Sequence, residues 1–159
     1  MADTEPKTVL LATDGSEHCT DALRKAVELL GRDHRFVTLA VVPPAFVPTA
    51  SLSPMEVHPT LVDPELELQL EEEQRAVSDD EVHHLDAALA ITAEHLVETG
   101  EPGDTVCEVA ERVEADVIVV GSHGHGRFKR MLMGSVSTHV LHNARCPVLV
   151  VRFDDADAE

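Results

Sequence analysis

Short apolar runs recur along the chain, and each has the length and composition of a β-strand. Runs that are continuous or nearly so are typical of strands covered on both faces. A looser alternation of apolar and polar residues over 91–99 predicts a further strand nearer the edge of a sheet. The runs that predict buried strands are Thr8–Thr13, Arg35–Val42, 117–120 and Val148–Val151.

Between these runs, apolar residues recur at the three- and four-residue spacing of amphipathic helices. Ser16 is a good N-cap for the first predicted helix, and Gly31 ends it. Two further helices are predicted over 104–114 and from Ser135 to about Asn143. The alternating order predicts a single doubly wound α/β domain with five parallel strands, in which ligands bind beyond the carboxyl ends of the strands.

The segment 43–64 interrupts this alternation, because its six prolines prevent regular structure over any length. It is interpreted as a long loop excursion. Asp63 and Pro64 then begin a predicted acidic helix that reaches about Leu89, and its acids are interpreted as a solvated face. The globular domain is expected to span 1–153, with a frayed acidic tail over 154–159.

Composition narrows the class of protein. The chain has 159 residues and a net charge of -18, which argues against a nucleic-acid partner because the phosphate backbone would be repelled. The same acidity supports the hypothesis of a halophile-like protein in a high-salt cytoplasm. No apolar run approaches the roughly 20 residues of a membrane span, so a cytoplasmic protein without membrane contact is expected.

The cysteines and histidines carry no predicted metal site. The cysteines are odd in number, widely spaced and without a metal-binding pattern, so free thiols are expected. The histidines lack a matched set of zinc ligands, although His123 or His125 could lie near a bound phosphate. The cysteines are Cys19, Cys107 and Cys146.

The region 117–153 is the chemically distinctive one. It contains no Asp or Glu, whereas 30 acids in 159 residues would place about seven in a stretch of this length. Glycines after the strand allow close backbone approach to a ligand, and Gly134 with Ser135 starts a helix whose free N–H groups suit an anion. With its cations, this loop suits a polyphosphate. The cations of the loop are Arg127, Lys129 and Arg130, and the other two cations of the region are Arg145 and Arg152.

Asp14 follows the first strand and is expected at the same edge of the sheet as the glycine loop. It could accept from a ribose hydroxyl or an adenine amino group, or reach Mg²⁺ through water. The loop is neither a dinucleotide fingerprint nor a P-loop, because neither glycine order is present.

The glycine spacing resembles that of a known family. Gly121, Gly124 and Gly134-Ser135 form the pattern G-x2-G-x9-G-[ST] of ATP-binding universal stress proteins, the UspA superfamily. The opening L-L-A-T-D-G-S-E, the strand and loop A-D-V-I-V-V-G-S-H-G, the helix start L-M-G-S-V-S and the closing C-P-V-L-V-V also resemble this family. The resemblance covers nearly the whole chain.

The resemblance implies a fold, an assembly and a ligand. The fold would be a sheet of order 3-2-1-4-5, Rossmann-like and similar to the adenine nucleotide alpha hydrolases, and a homodimer would pair through Val148–Val151. ATP, with Mg²⁺ possible, would be bound by Asp14 at the adenosine and by backbone groups of Val42 or Val41 at the adenine edge. The full predicted nucleotide-binding set is Ala12, Thr13, Asp14, Val41, Val42, Val120, Gly121, His123, Gly124, Arg127, Gly134, Ser135, Val136 and Ser137.

A regulatory ATP-binding protein in the stress response, with slow or no hydrolysis, is the leading functional hypothesis. No Ser-His-Asp order, paired carboxylates or Cys-His arrangement indicates a dedicated enzyme, so no catalytic residue is assigned. Two alternatives remain open. One is a nucleotide-independent dimeric interaction module, and the other is a weak ATPase or autophosphorylating protein with Ser135 or Ser137 as the acceptor.

Overall fold

A computed structural model of the chain describes residues 5–44, 68–69, 72–73, 84–122 and 133–152. The strands form one parallel sheet of order β3-β2-β1-β4-β5, which confirms the predicted topology. The elements in chain order are β1 (Thr8–Thr13), α1 (Glu17–Leu30), β2 (Arg35–Val42), β3 (Ala93–Thr99), α2 (Pro102–Arg112), β4 (Val117–Gly121), α3 (Ser135–Asn143) and β5 (Val148–Val151).

Most predicted boundaries are confirmed, and three differ for local reasons. β3 begins two residues later than the apolar pattern indicated, because the Ile91 N–H donates to the Asp86 carbonyl and closes a turn at 3.1 Å. α2 begins at Pro102, since proline suits the first helical position. It ends at Arg112, and Glu114 has a left-handed φ of 54°. β4 runs one residue further than predicted, because Gly121 still pairs with β5.

The core forms two layers, one on each face of the sheet. Alternate residues of β1 divide between them, with Leu11 in the layer under α1 and Leu10 in the layer under α2 and α3. The helices contribute the residues whose spacing predicted them to face inward. These are Leu23, Ala26 and Val27 from α1, Val106, Val109 and Ala110 from α2, and Val140 from α3.

The residues 84–89 are helical, as predicted for the end of the acidic helix. They join the α1 layer, where Arg24 Nε donates to the Ala88 carbonyl at 3.2 Å and Arg32 Nε to the Ala90 carbonyl at 3.3 Å. The start of that helix, most of the proline-rich segment and the acidic tail lie outside the described residues. None of the described helices is long and apolar enough to cross a bilayer.

Candidate functional site

The fold brings together the two strand ends that were predicted to carry the site. β1 and β4 are neighbours in register, with Leu11 opposite Val119, so the loops that follow them leave the same edge of the sheet side by side. The helix that follows β1 covers one face of the sheet, and the helix that follows β4 covers the other, so the connections from these two neighbouring strands leave in opposite directions. Open parallel sheets bind ligands at such a switch point.

Asp14 is held in place by the turn that follows β1. Gly15 has a left-handed φ of 75°, which glycine adopts without strain. The Asp14 Oδ1 atom accepts from the Ser16 N–H at 3.0 Å and from the Ser16 hydroxyl at 2.6 Å. The Gly15 N–H donates to the Thr13 hydroxyl oxygen at 3.0 Å. The carboxylate is therefore fixed before any ligand arrives.

Cys19 lies beneath this turn in the first turn of α1. Its N–H donates to the Ser16 hydroxyl oxygen at 3.1 Å, so Ser16 caps the helix as predicted. Burial, and secondarily the negative charge of Asp14, raises the pKa of the Cys19 thiol from 9.0 to about 11. The thiol is therefore neutral at physiological pH, and its Sγ atom lies 3.6 Å from the Ala12 carbonyl oxygen.

A second set of hydrogen bonds joins the residues on either side of the glycine-rich segment. The Gly134 N–H donates to the Ser122 carbonyl at 2.7 Å, and the Ser122 N–H donates to the Val151 carbonyl at 2.9 Å. The buried Ser137 hydroxyl lies 3.0 Å from the Gly134 carbonyl and 3.5 Å from that of Ser122. The start of α3 is thereby fixed at the end of β4.

The helix that starts there is the one best suited to an anion. The first N–H groups of any helix lack intrahelical acceptors and carry partial positive charge. In α1 the Ser16 side chain already accepts from one of these N–H groups, and Glu17 places a negative charge in the first turn. In α2 Asp104 places a negative charge in the first turn. The N-cap of α3 is Gly134, which provides no side-chain cap, and the first turn of this helix contains no acid. Among the helices that the structure gives in full, α3 is therefore the one whose N-terminus has neither a side-chain cap nor an acid in its first turn.

The two residues considered for the adenine edge differ in their backbone environment. The Val42 carbonyl accepts from the Gly100 N–H at 3.0 Å, on the side of β3. Neighbouring residues of a strand direct their backbone groups to opposite sides, so Val41 faces β1. The pairing of β1 with β2 ends at Thr13, and the Gly15 N–H is occupied by the Thr13 hydroxyl. Val41 therefore directs its carbonyl beyond the end of β1, whereas the Val42 carbonyl already accepts a hydrogen bond from Gly100.

The remaining predicted residues fall into two groups. Ala12, Thr13, Val120 and Gly121 lie at the adjacent ends of β1 and β4, and Ser135 and Val136 occupy the first turn of α3. His123, Gly124 and Arg127 lie outside the described residues, as do His125, Lys129 and Arg130, so their proximity to phosphate stays a prediction. The expected free thiols are confirmed for all three cysteines.

Sequence reasoning missed two residues that shape the site. The Ser122 carbonyl accepts a hydrogen bond from the Gly134 N–H, and the Gly100 N–H donates one to the Val42 carbonyl. Both act through backbone atoms, which have no residue-type signature. The position of Ser122 directly after the strand's last glycine was the one available signal. Among the described residues, no three His, Cys, Asp or Glu side chains are grouped closely enough to hold a metal ion.

A helix N-terminus without a side-chain cap, at the switch point of a doubly wound sheet, is typical of α/β proteins that bind phosphate groups, and a carboxylate nearby is typical of those that bind a ribose. The sequence matches the Universal stress protein family over residues 5–152, and the chain belongs to that family. It is 33% identical over 149 residues to universal stress protein MJ0531 of Methanocaldococcus jannaschii, covering 92% of this chain and 82% of that protein. It is 32% identical over 145 residues to YxiE of Bacillus subtilis, covering 91% of this chain and 97% of that protein. A universal stress protein A-like protein of Arabidopsis thaliana is 38% identical over 64 residues, which span 40% of this chain and 37% of that relative.

Solved structures support the same fold. Protein MJ0577 superposes with a TM-score of 0.74 at 23% identity, covering 94% of this chain and 98% of that one. A universal stress family protein of Arabidopsis thaliana with AMP bound gives a TM-score of 0.61 at 23% identity, covering 96% of this chain and 95% of that one. A universal stress protein in complex with cAMP gives 0.59 at 23% identity, covering 94% and 98%. At these identities the likeness establishes the fold.

Proposed function

We propose that this protein binds ATP at the switch point between β1 and β4 and that occupancy of this site regulates its action in the stress response. The observation that carries the proposal is the N-terminus of α3, which has neither a side-chain cap nor an acid in its first turn and is hydrogen-bonded to the end of β4, the strand next to the one that Asp14 follows. Structural neighbours with AMP and cAMP support a nucleotide as the ligand.

Each part of the nucleotide is matched to a group of the protein with suitable hydrogen-bonding chemistry. The Val41 carbonyl is an acceptor suited to the adenine amino group, and Asp14 is an acceptor suited to a ribose hydroxyl. The free N–H groups at the start of α3 and the exposed Ser135 hydroxyl suit the phosphates. Mg²⁺ would accompany the phosphates, and a carboxylate such as Asp14 fits its preference for oxygen ligands through a bridging water.

A copurified nucleotide provides the first test of this proposal. The chain contains no Trp or Tyr, so absorbance near 260 nm in the purified protein would report a bound base with little background. We expect denaturation to release an adenine nucleotide that mass spectrometry identifies. A nucleotide-free preparation that also fails to bind added ATP with Mg²⁺ would contradict the proposal.

A second candidate, a nucleotide-independent dimeric interaction module, is favoured by β5, which is an edge strand of the sheet that the described residues form. All four residues of β5 are half-buried, and Leu141 on the neighbouring α3 is exposed. An unpaired strand edge with apolar side chains is suited to pairing with another chain. We propose that β5 pairs with its copy in a homodimer. Sedimentation equilibrium of the wild type and of Val150→Lys tests this, and a monomeric wild type would contradict it.

Weak hydrolysis or self-phosphorylation is part of the same proposal as a minor activity. Of the two serines considered as acceptors, Ser135 is exposed, whereas Ser137 is buried with its hydroxyl directed at main-chain carbonyls. Phosphate incorporation from radiolabelled ATP should therefore be lost in Ser135→Ala and kept in Ser137→Ala. Equal incorporation in both variants would exclude either serine as the acceptor.

A further inference from the structure

His139 makes an unusually close contact between α2 and α3. A Cβ atom added to Gly103 would lie 2.7 Å from the His139 Cγ and Cδ2 atoms and 2.8 Å from its Cβ atom. Ordinary side chains do not approach so closely, so the two helices meet at a distance that only glycine permits. The imidazole therefore lies directly against the backbone of the first turn of α2.

The same imidazole also contacts the next residue of α2. Its Nε2 atom lies 2.8 Å from the Asp104 Oδ1 atom, and this nitrogen is shielded from solvent. The arrangement is a close polar contact and not an aligned hydrogen bond, and it becomes an ion pair when the imidazole is protonated. His139 thus contacts two consecutive residues of α2, Gly103 by close packing and Asp104 by a polar contact.

This contact joins two helices that follow or begin parts of the candidate nucleotide site. Gly100, two residues before α2, donates to the Val42 carbonyl at the end of β2, next to the Val41 carbonyl that is proposed for the adenine edge. Ser135, one helical turn before His139, begins the helix whose N-terminus is proposed to bind the phosphates. The placement of α3 therefore rests on two contacts, the Gly134 hydrogen bond to Ser122 at its start and the packing of His139 on α2 one turn later.

We propose that His139 is a positioning residue that sets the N-terminus of α3 at the right distance from the adenosine subsite to receive the phosphates. The inference rests on the proposed nucleotide site and adds a determinant that touches no ligand. His139 is expected to affect the binding of the phosphates and not that of the adenosine. Asp14 follows β1 and Val41 lies in β2, and these two strands pair with each other without contribution from α3.

The test compares ligands that differ only in their phosphates. Calorimetric titration of adenosine, AMP, ADP and ATP is carried out on the wild type, His139→Ala and Asp104→Asn. His142→Ala is the matched control, since His142 is an exposed histidine on the same helix. In His139→Ala we expect ATP affinity to fall on the order of tenfold, which is typical of residues that influence binding without touching the ligand. Adenosine affinity should stay within about twofold of the wild-type value. Asp104→Asn should give a smaller loss of the same pattern, and His142→Ala none.

Each other outcome overturns the inference in a recognisable way. An equal loss for adenosine and ATP would mean that His139 acts only through general stability, and unchanged ATP affinity would mean that it positions nothing. If the wild type itself binds no nucleotide, the proposed function fails and the inference fails with it. Should His139→Ala not fold, His139→Gln keeps a side chain of similar length, and the same ratio of ATP to adenosine affinity decides.

Discussion

Replacing Gly103 by alanine should destabilise the protein, although the same change stabilises most helices. Alanine is favoured over glycine in a helix interior by up to about 1 kcal/mol. Here the new methyl group would lie 2.7 Å from ring atoms of His139 and 2.8 Å from its Cβ atom. A change of rotamer moves the ring but leaves the Cβ atom in place, so α2 and α3 must separate. Overpacking of this kind costs roughly 1–3 kcal/mol, and we expect a net loss of about 1 kcal/mol.

Urea denaturation followed by circular dichroism measures this difference, because the chain contains no Trp to report unfolding by fluorescence. The double variant Gly103→Ala with His139→Ala provides the control. It removes the ring but keeps the second Cβ atom, so it should recover part of the loss that Gly103→Ala causes. A stabilised Gly103→Ala protein would refute the reasoning, since it would show that the helices are free to move apart at no cost.

Two further predictions concern the turn after β1. Burial raises the pKa of Cys19 from 9.0 to about 11, so the stability contributed by the neutral thiol is fully present below pH 9 and is lost as pH rises through about 11. The wild type should lose up to about 2–3 kcal/mol more than Cys19→Ala between those pH values, measured by urea denaturation, and parallel curves would contradict this. Ser16→Ala removes the side-chain cap of α1 and the hydroxyl hydrogen bond to Asp14 but keeps the backbone one, so it should cost about 1 kcal/mol in stability and weaken adenosine binding as well. Unchanged adenosine affinity in that variant would show that Asp14 needs no support from Ser16.

Much of the fold could be predicted from the sequence, because each strand carries its own signal. β1 and β2 read as continuous apolar runs, and α3 was expected at Ser135 because glycine and serine start it. These features are local in the chain. The order of strands came from resemblance, since parallel pairing joins residues far apart, such as Val9 with Val117.

The site was less predictable because its geometry depends on backbone groups and on contacts between distant helices. The sequence leaves the choice between Val41 and Val42 open, and the hydrogen bond that the Val42 carbonyl accepts from Gly100 is a difference between them that only the structure shows. Ser137 has the residue type of a phosphate ligand, yet its hydroxyl is directed at the Gly134 carbonyl. The helix was predicted to begin at residue 104, whereas Gly103 lies in the first turn of α2 and makes room for His139.

Calorimetric titration of ATP with Mg²⁺ into Gly134→Asp tests the central claim most directly. Gly134 has φ -60° and ψ 158°, which a capping residue adopts readily, so aspartate there would cap α3 with its own carboxylate. We expect the variant to be as stable as the wild type or more stable by a few tenths of a kcal/mol. We also expect it to have lost ATP binding, because the new carboxylate takes the place of the phosphates and repels them. Gly134→Ser is the uncharged control and should keep more affinity. Full ATP affinity in a folded Gly134→Asp protein would contradict the account, because it would show that the N-terminus of α3 is not where the phosphates bind.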